Sequence, residues 1–328
     1  MKAFKSVFKK KGSGMLWAVW GLILVFAFTA PGFATFQNVQ NILKNTSVLL
    51  ILACGMTLVI ISHQLDLSIG GVATFAGMVA GYYIQPFTSP SAFNIIIAIF
   101  IGILVGAAFG AFNGLMIGFF KYNYWLITFA TMSIGFALAQ VITGGNIISG
   151  FSKSFRSLAN SNLLNIPGVV WFAAAIVLII GILSYKTCFG MHVYAVGDSE
   201  QCAEQSGIKV SRLRFLIYLL SGTLAGLGGV LLAAKTNSAS PVSGTGYEFD
   251  AVAAVVVGGT PMDGGKGGII GTLIGAISIA AIKVGLQLIG LNNYVQQVFI
   301  GLIILVIIVF DVLQAQRVQK KQSRRIYK

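Results

Sequence analysis

Acidic side chains are scarce in this chain. It has eight Asp and Glu in 328 residues, and charged residues of both signs make up only 9%, against about 25% in an ordinary soluble domain. Such a surface cannot cover a globule in water, which excludes a soluble enzyme and a charge-rich disordered chain. Ligand-forming residues are few as well, with two His and three Cys. Cys54, Cys188 and Cys202 show neither metal nor redox spacing, so a zinc site, a C-x-x-C centre and a disulfide scaffold are excluded. A phosphate loop is missing too, since Gly267 follows Gly265-Lys266 where the motif needs Ser or Thr. The chain therefore has no ATP site and no cofactor of its own. An intramembrane enzyme finds neither a nucleophile–base pair nor a metal pair.

What is present is apolar: 56% of the residues are hydrophobic and 40 are glycine. The bilayer is the expected solvent. A spanning helix needs about 20 apolar residues, and glycine favours close helix packing in membranes. Ten apolar runs are legible, at 15–33, 47–62, 67–84, 93–120, 124–143, 169–185, 215–234, 251–262, 268–289 and 294–312. The eighth is too short to cross unless it borrows Tyr247–Asp250 or stops part-way. The fold class expected is an all-α integral membrane protein with about ten transmembrane helices, some short or broken, in one domain covering 1–328. The Met15 run follows five lysines, as a signal peptide would, but it is long for one and lacks a clean cleavage site.

The net charge of +14 fits topology better than nucleic-acid binding. Threading the ten runs with the N-terminus inside puts 17 of the basic residues on the inner side and four (Lys44, Lys153, Arg156, Lys235) on the outer. That bias places both termini, the tails 1–14 and 313–328, in the cytoplasm. The one sizeable inner loop is 186–214, and a Ser- and Asn-rich outer loop spans 144–168.

Within the inner loop, Asp198 and Gln201 have capping-box spacing and Gly207 is a left-handed helix stop. A two-turn helix over Ser199–Ser206 follows, with Ser211 capping the next span. An isolated helix of this length is marginal in water. It is either an ordinary surface turn or a helix that docks on a cytoplasmic partner. Asp66, in His63-Gln64-Leu65-Asp66-Leu67-Ser68-Ile69-Gly70-Gly71, is costly near a bilayer core. It can serve as a proton or ion relay, or Asp66 or Ser68 can cap a helix starting near Ile69; the sequence favours the cap. Gly244–Asp250 leads into the short eighth run, and the glycine-rich stretch 258–268 after it, six of whose eleven residues are glycine, is expected to be irregular backbone and close helix contact where a protein-lined path or a partner sits.

Several blocks, in order, resemble one family: Gly55-Met56-Thr57, Leu65-Asp66-Leu67-Ser68-Ile69-Gly70, Asn113-Gly114, Thr128, Gly144-Gly145, Phe189-Gly190, Tyr194-Ala195-Val196-Gly197, Ser206-Gly207-Ile208, and Phe249 through Thr260 followed by Gly264-Gly265-Lys266-Gly267. Across roughly residues 20–312 the chain resembles the permease subunits of ribose-type sugar ABC transporters. Branched-chain amino acid permeases are more distant in motif. The sequence departs from that family at His63-Gln64-Leu65, at Asn123-Tyr124, where a Pro pair is usual, and at Ile134-Gly135-Phe136, where an Arg is usual.

The resemblance implies a multi-pass protein of the bacterial plasma (inner) membrane. It implies a second permease copy or paralogue as dimer partner, a cytoplasmic ATPase that binds the ATP, and an extracytoplasmic sugar-binding protein. It places a coupling helix at Asp198, Ser199, Glu200, Gln201, Ala203, Glu204, Ser206 and Gly207. Candidate path residues, chosen as polar or aromatic groups able to satisfy sugar hydroxyls, are Asp66, Ser68, Asn113, Asn123, Tyr124, Trp125 and Asn237. The rival from another class is an ion-coupled secondary transporter, with Asp66 or Glu248 and Asp250 as relay.

Overall fold

The computed structural model describes residues 13–292, 294–303, 305–306 and 309. The basic tails, apart from residues 13 and 14, and the far end of the expected tenth span lie outside the described residues. The described chain is helical: α1 (Ser13–Thr29), α2 (Phe36–Ile61), α3 (Ile69–Ile84), α4 (Ala92–Gly114) continued by a π-helical turn Leu115–Phe119, and α5 (Tyr124–Thr143). These are followed by α6 (Lys153–Asn160), α7 (Gly168–Lys186), α8 (Cys188–Asp198), α9 (Glu200–Gln205), α10 (Val210–Thr236), α11 (Tyr247–Val257) and α12 (Ile269–Leu288). A last apolar helix, α13, covers Tyr294–Ile303. Six helices, at Phe36–Ile61, Ala92–Phe119, Tyr124–Thr143, Gly168–Lys186, Val210–Thr236 and Ile269–Leu288, are long and apolar enough to cross a membrane.

Burial sorts the helices into an inner and an outer set. From Thr46 to Ile61 every residue of α2 is buried, and α3, α10, α11 and α12 are buried over most of their length. A helix apolar all round belongs in a core. The outer helices instead expose large apolar side chains: Leu24 and Phe28 on α1, Phe100 and Leu104 on α4, Leu126 and Val141 on α5, Leu178 and Ile182 on α7. Such a face suits a hydrocarbon surround and not water.

Between α4 and α10 the packing is backbone on backbone, and this is the most extensive helix pair of the fold. Gly102, Gly106, Gly110, Gly114 and Gly118 recur every fourth residue along one face. A Cβ at Gly106 would collide with the Gly222 carbonyl, and one at Gly110 with that of Tyr218. With no hydrophobic drive between helices in lipid, such close van der Waals contact is what holds them together.

The two ends of the bundle are distinct. At one end lie α6 and two short antiparallel pairings, Ile148–Ser149 with Ser238–Ala239 and Asn162–Leu163 with Ile166–Pro167. At the other lie α8, α9 and the loop 258–268.

Some boundaries differ from those expected. Helix α2 begins eleven residues before the apolar run, because the Thr35 hydroxyl accepts from Asn38 N–H at 3.3 Å and starts it in polar sequence. The short eighth run does borrow Tyr247–Asp250, and it stops at Val257. Helices α6 and α8 were not expected.

Candidate functional site

Between α2 and α3 the chain breaks for seven residues. Ser62 Oγ donates to Val59 O at 2.7 Å, and His63 takes a left-handed φ of 61° that ends α2. Asp66 then sits 1% exposed among α2, α4 and α10. Its Oδ1 accepts from Ser68 N–H at 3.0 Å and from Ser68 Oγ at 2.5 Å, and its Oδ2 accepts from Ser221 Oγ at 2.7 Å. Ser68 Oγ accepts in turn from Asn113 Nδ2 at 3.0 Å. One helical turn from Ser221, the buried Tyr218 donates to Leu65 O at 3.1 Å.

This arrangement binds the break to α10 and to the last turn of α4. Asn113 stands directly before the π-helical turn, where Phe120 N–H reaches back to Leu115 O at 3.2 Å. Turns of that kind recur at functional sites. The helix starts at Ile69 as expected with Ser68 in its N-cap position, but neither side chain caps it: the Asp66 carboxylate accepts from Ser68 itself and from no amide of α3. The ion pairs among the described residues are Arg214–Glu200 and Lys283–Asp250; Asp66 belongs to neither.

The break abuts the end of α8. The Gly197 backbone lies so close to Ile61 O that a Cβ there would collide with it, and Gly265 N–H donates to the same oxygen at 2.9 Å. Tyr194 Oη donates to Gly267 O at 3.1 Å. The end of α2, the end of α8 and the glycine loop thus meet at one carbonyl.

Helix α9 leads away from this junction. Its cap is Ser199, not Asp198: Ser199 Oγ accepts from Cys202 N–H at 3.3 Å, while Asp198 ends the unforeseen α8. The expected bounds contract to Glu200–Gln205 for the same reason. Ser206 is the C-cap, and Gly207 has φ +84° as expected. Gly207 N–H donates to Glu204 O at 2.9 Å and Ile208 N–H to Ala203 O at 3.1 Å, the pair of bonds that closes a glycine-terminated helix. Ala203 is buried and Gln201 exposed. Arg214 of α10 pairs with Glu200 at 2.6 Å. Ser211 does not cap α10, which starts at Val210 with Lys209 as its cap.

A cleft of about 350 Å³ opens at this end, lined by Ser62–Gln64, Lys121, Tyr122, Tyr124, Gly197–Glu200 and Arg214. Of the candidate path residues, Asp66, Ser68 and Asn113 form one network and Tyr124 lines the cleft. Asn123 caps α5 through Trp125 N–H at 2.9 Å, and Trp125 is exposed. Asn237 ends α10 in a left-handed conformation at the opposite end, away from the others. Tyr218 and Ser221 were missed by sequence reasoning. Their signal was there: two hydroxyls three residues apart, hence on one face, within a run whose one other polar side chain is Thr223.

The profile of the branched-chain amino acid transport system permease component family matches residues 38–308. The chain belongs to that family. It is 35% identical over 294 residues to the ribose import permease protein RbsC of Escherichia coli strain K12, covering 88% of this chain and 90% of that protein. Identity is 36% over 293 residues with its namesake from Bacillus subtilis strain 168, covering 88% and 89%. With the L-arabinose transport system permease protein AraH of E. coli strain K12 it is 32% over 324 residues, covering 95% and 94%. No solved structure gives a significant match.

Proposed function

We propose that the chain is the permease subunit of an ATP-binding-cassette importer, carrying a ribose-like monosaccharide across the bacterial inner membrane. Its relatives of matching length are named for ribose and L-arabinose. The observation that carries the reading furthest is the junction at Ile61 O, because it gives the fold a way to use a partner's motion. An ATPase pressing on α9 would move Ser199 and Gly197, and through them the end of α2 and the break that holds Asp66. Backbone in such close contact transmits displacement rather than absorbing it. The permease makes no bonds; its work is a shift between two arrangements of the helices, biased by partners that favour one of them.

In this reading residues 1–328 form one permease domain with about ten crossings, the short and broken helices included. The α8–α9 end and both termini face the cytoplasm, and 186–214 is the coupling loop. Asp198, Ser199, Glu200, Gln201, Ala203, Glu204, Ser206 and Gly207 meet the ATPase. A binding protein delivers sugar at the end bearing α6, and a second permease copy or paralogue completes the channel. Tyr124 borders the inner exit, with Asn123 and Trp125 beside it. Asp66, Ser68 and Asn113 lie behind its wall, and Asn237 stands at the outer mouth.

No observation favours the ion-coupled alternative. Asp66 is held by hydroxyls and an amide, and Asp250 is paired with Lys283.

Affinity purification of the tagged chain from its own membranes tests the reading. An ATPase should co-purify in stoichiometric amount. Isolation without one, together with sugar uptake that collapses under a proton uncoupler at constant cell ATP, would refute it.

A further inference from the structure

Between α10 and α11 the chain leaves the end that bears α6 and turns back into the bundle. Ser238–Ala239 pairs with Ile148–Ser149, and residues 240–246 then descend without helix or strand until Gly244 N–H donates to Thr74 Oγ1 at 2.9 Å. Thr74 is ten residues from the Ile84 end of α3, about 15 Å along the helix. The hydrocarbon core is about 30 Å thick. Irregular backbone thus lies at half depth, and one side of it is not covered by this chain. Val242 is 63% exposed and Phe249 51%, with Thr245 exposed between them.

Irregular backbone does not face lipid at such depth; it is buried in protein or it lines water. The side chains here select between the two. Glu248 and Asp250, which alternate with this face in sequence, turn inward and are 3% exposed each, with Asp250 neutralised by Lys283. What remains outward is the Val242 side chain, the Thr245 hydroxyl and the Phe249 ring, all uncharged, the last two chemically suited to sugar hydroxyls and to the apolar C–H face of a sugar ring.

We infer that Val242, Thr245 and Phe249 line the aqueous solute path and present it with an uncharged surface. The inference rests on the importer reading above and deepens it.

The test uses the permease in complex with its own ATPase and binding protein, reconstituted in vesicles, with Cys54, Cys188 and Cys202 replaced. Thr245→Cys and Phe249→Cys are exposed to a cationic, water-soluble methanethiosulfonate. Leu104→Cys on the lipid-facing side of α4 is the reference, and Val242→Cys serves where another variant fails to reach the membrane. Both path positions should react at least about tenfold faster than Leu104→Cys, because only they meet water, and modification should abolish D-ribose and L-arabinose uptake. Reaction no faster than at Leu104→Cys, as for a dry contact with a second copy, or modification that leaves uptake intact, overturns the lining. The unmodified parent complex separates the two levels. If it takes up neither sugar with ATP, the importer reading fails; if it does while the cysteines stay silent, only the lining fails.

Discussion

Asp66 shows what a single buried carboxylate does in this fold. Three hydrogen bonds from two serines fix it, and through them the break between α2 and α3 is tied to α10 and, by way of Asn113, to α4. Asn can reproduce this geometry: its Oδ1 accepts from Ser68, and its Nδ2 donates to Ser221, whose hydroxyl can reverse. Leu leaves buried donors unmatched, at about 1–3 kcal/mol each. Asp66→Asn should therefore retain most binding-protein-dependent uptake at equal membrane abundance, and Asp66→Leu should lose nearly all of it. The check is uptake across mildly acid to mildly alkaline pH; an Asn variant as inactive as the Leu variant would mean that the carboxylate titrates during transport. The sequence showed Asp66 and Ser68 as neighbours at a helix break. It did not show Ser221, because nothing local says which of many serines faces a carboxylate 155 positions away.

In the proposed reading helix α9 is the element on which coupling turns, and its stop is its most exacting residue. At Gly207 there is open space around the Cα but a φ of +84°, so a substitution there is opposed by backbone strain and not by collision. A β-branched residue in a left-handed conformation costs about 1–2 kcal/mol, enough to unwind six residues. Gly207→Val should lower ATPase co-purification several-fold with the membrane level unchanged, while Gly207→Asn, which tolerates this conformation, should keep most of it. Full association in the Val variant would contradict the coupling assignment. This stop was legible because glycine at a helix end has one strong meaning. The cap was not, because Asp198 and Ser199 are both good caps, and only the continuation of α8 through Asp198 decides between them. The early start of α2 was hidden for a related reason: a hydropathy run reports where the core begins, not where the helix does.

At the scale of the molecule, the apolar runs and the clustering of basic residues foretold an all-α membrane protein, because lipid leaves few alternatives to helices. The meeting of three distant segments at Ile61 O was beyond reach, since close backbone approach leaves no mark in sequence except glycine, and glycines are plentiful here. The topology yields its own expectation: single cysteines at Lys5 and Gln322, in a background without native Cys, should resist a membrane-impermeant thiol reagent in intact cells, and labelling at either would reverse the orientation. The central claim is that this chain carries a sugar by using a partner's ATP. Sealed vesicles containing the permease and its ATPase, loaded with ATP and supplied outside with the binding protein and radiolabelled D-ribose or L-arabinose, measure it directly. Sugar should accumulate only with hydrolysable ATP and binding protein together, and an uncoupler should leave the rate unchanged; accumulation by the permease alone, driven by an ion gradient, would contradict the account.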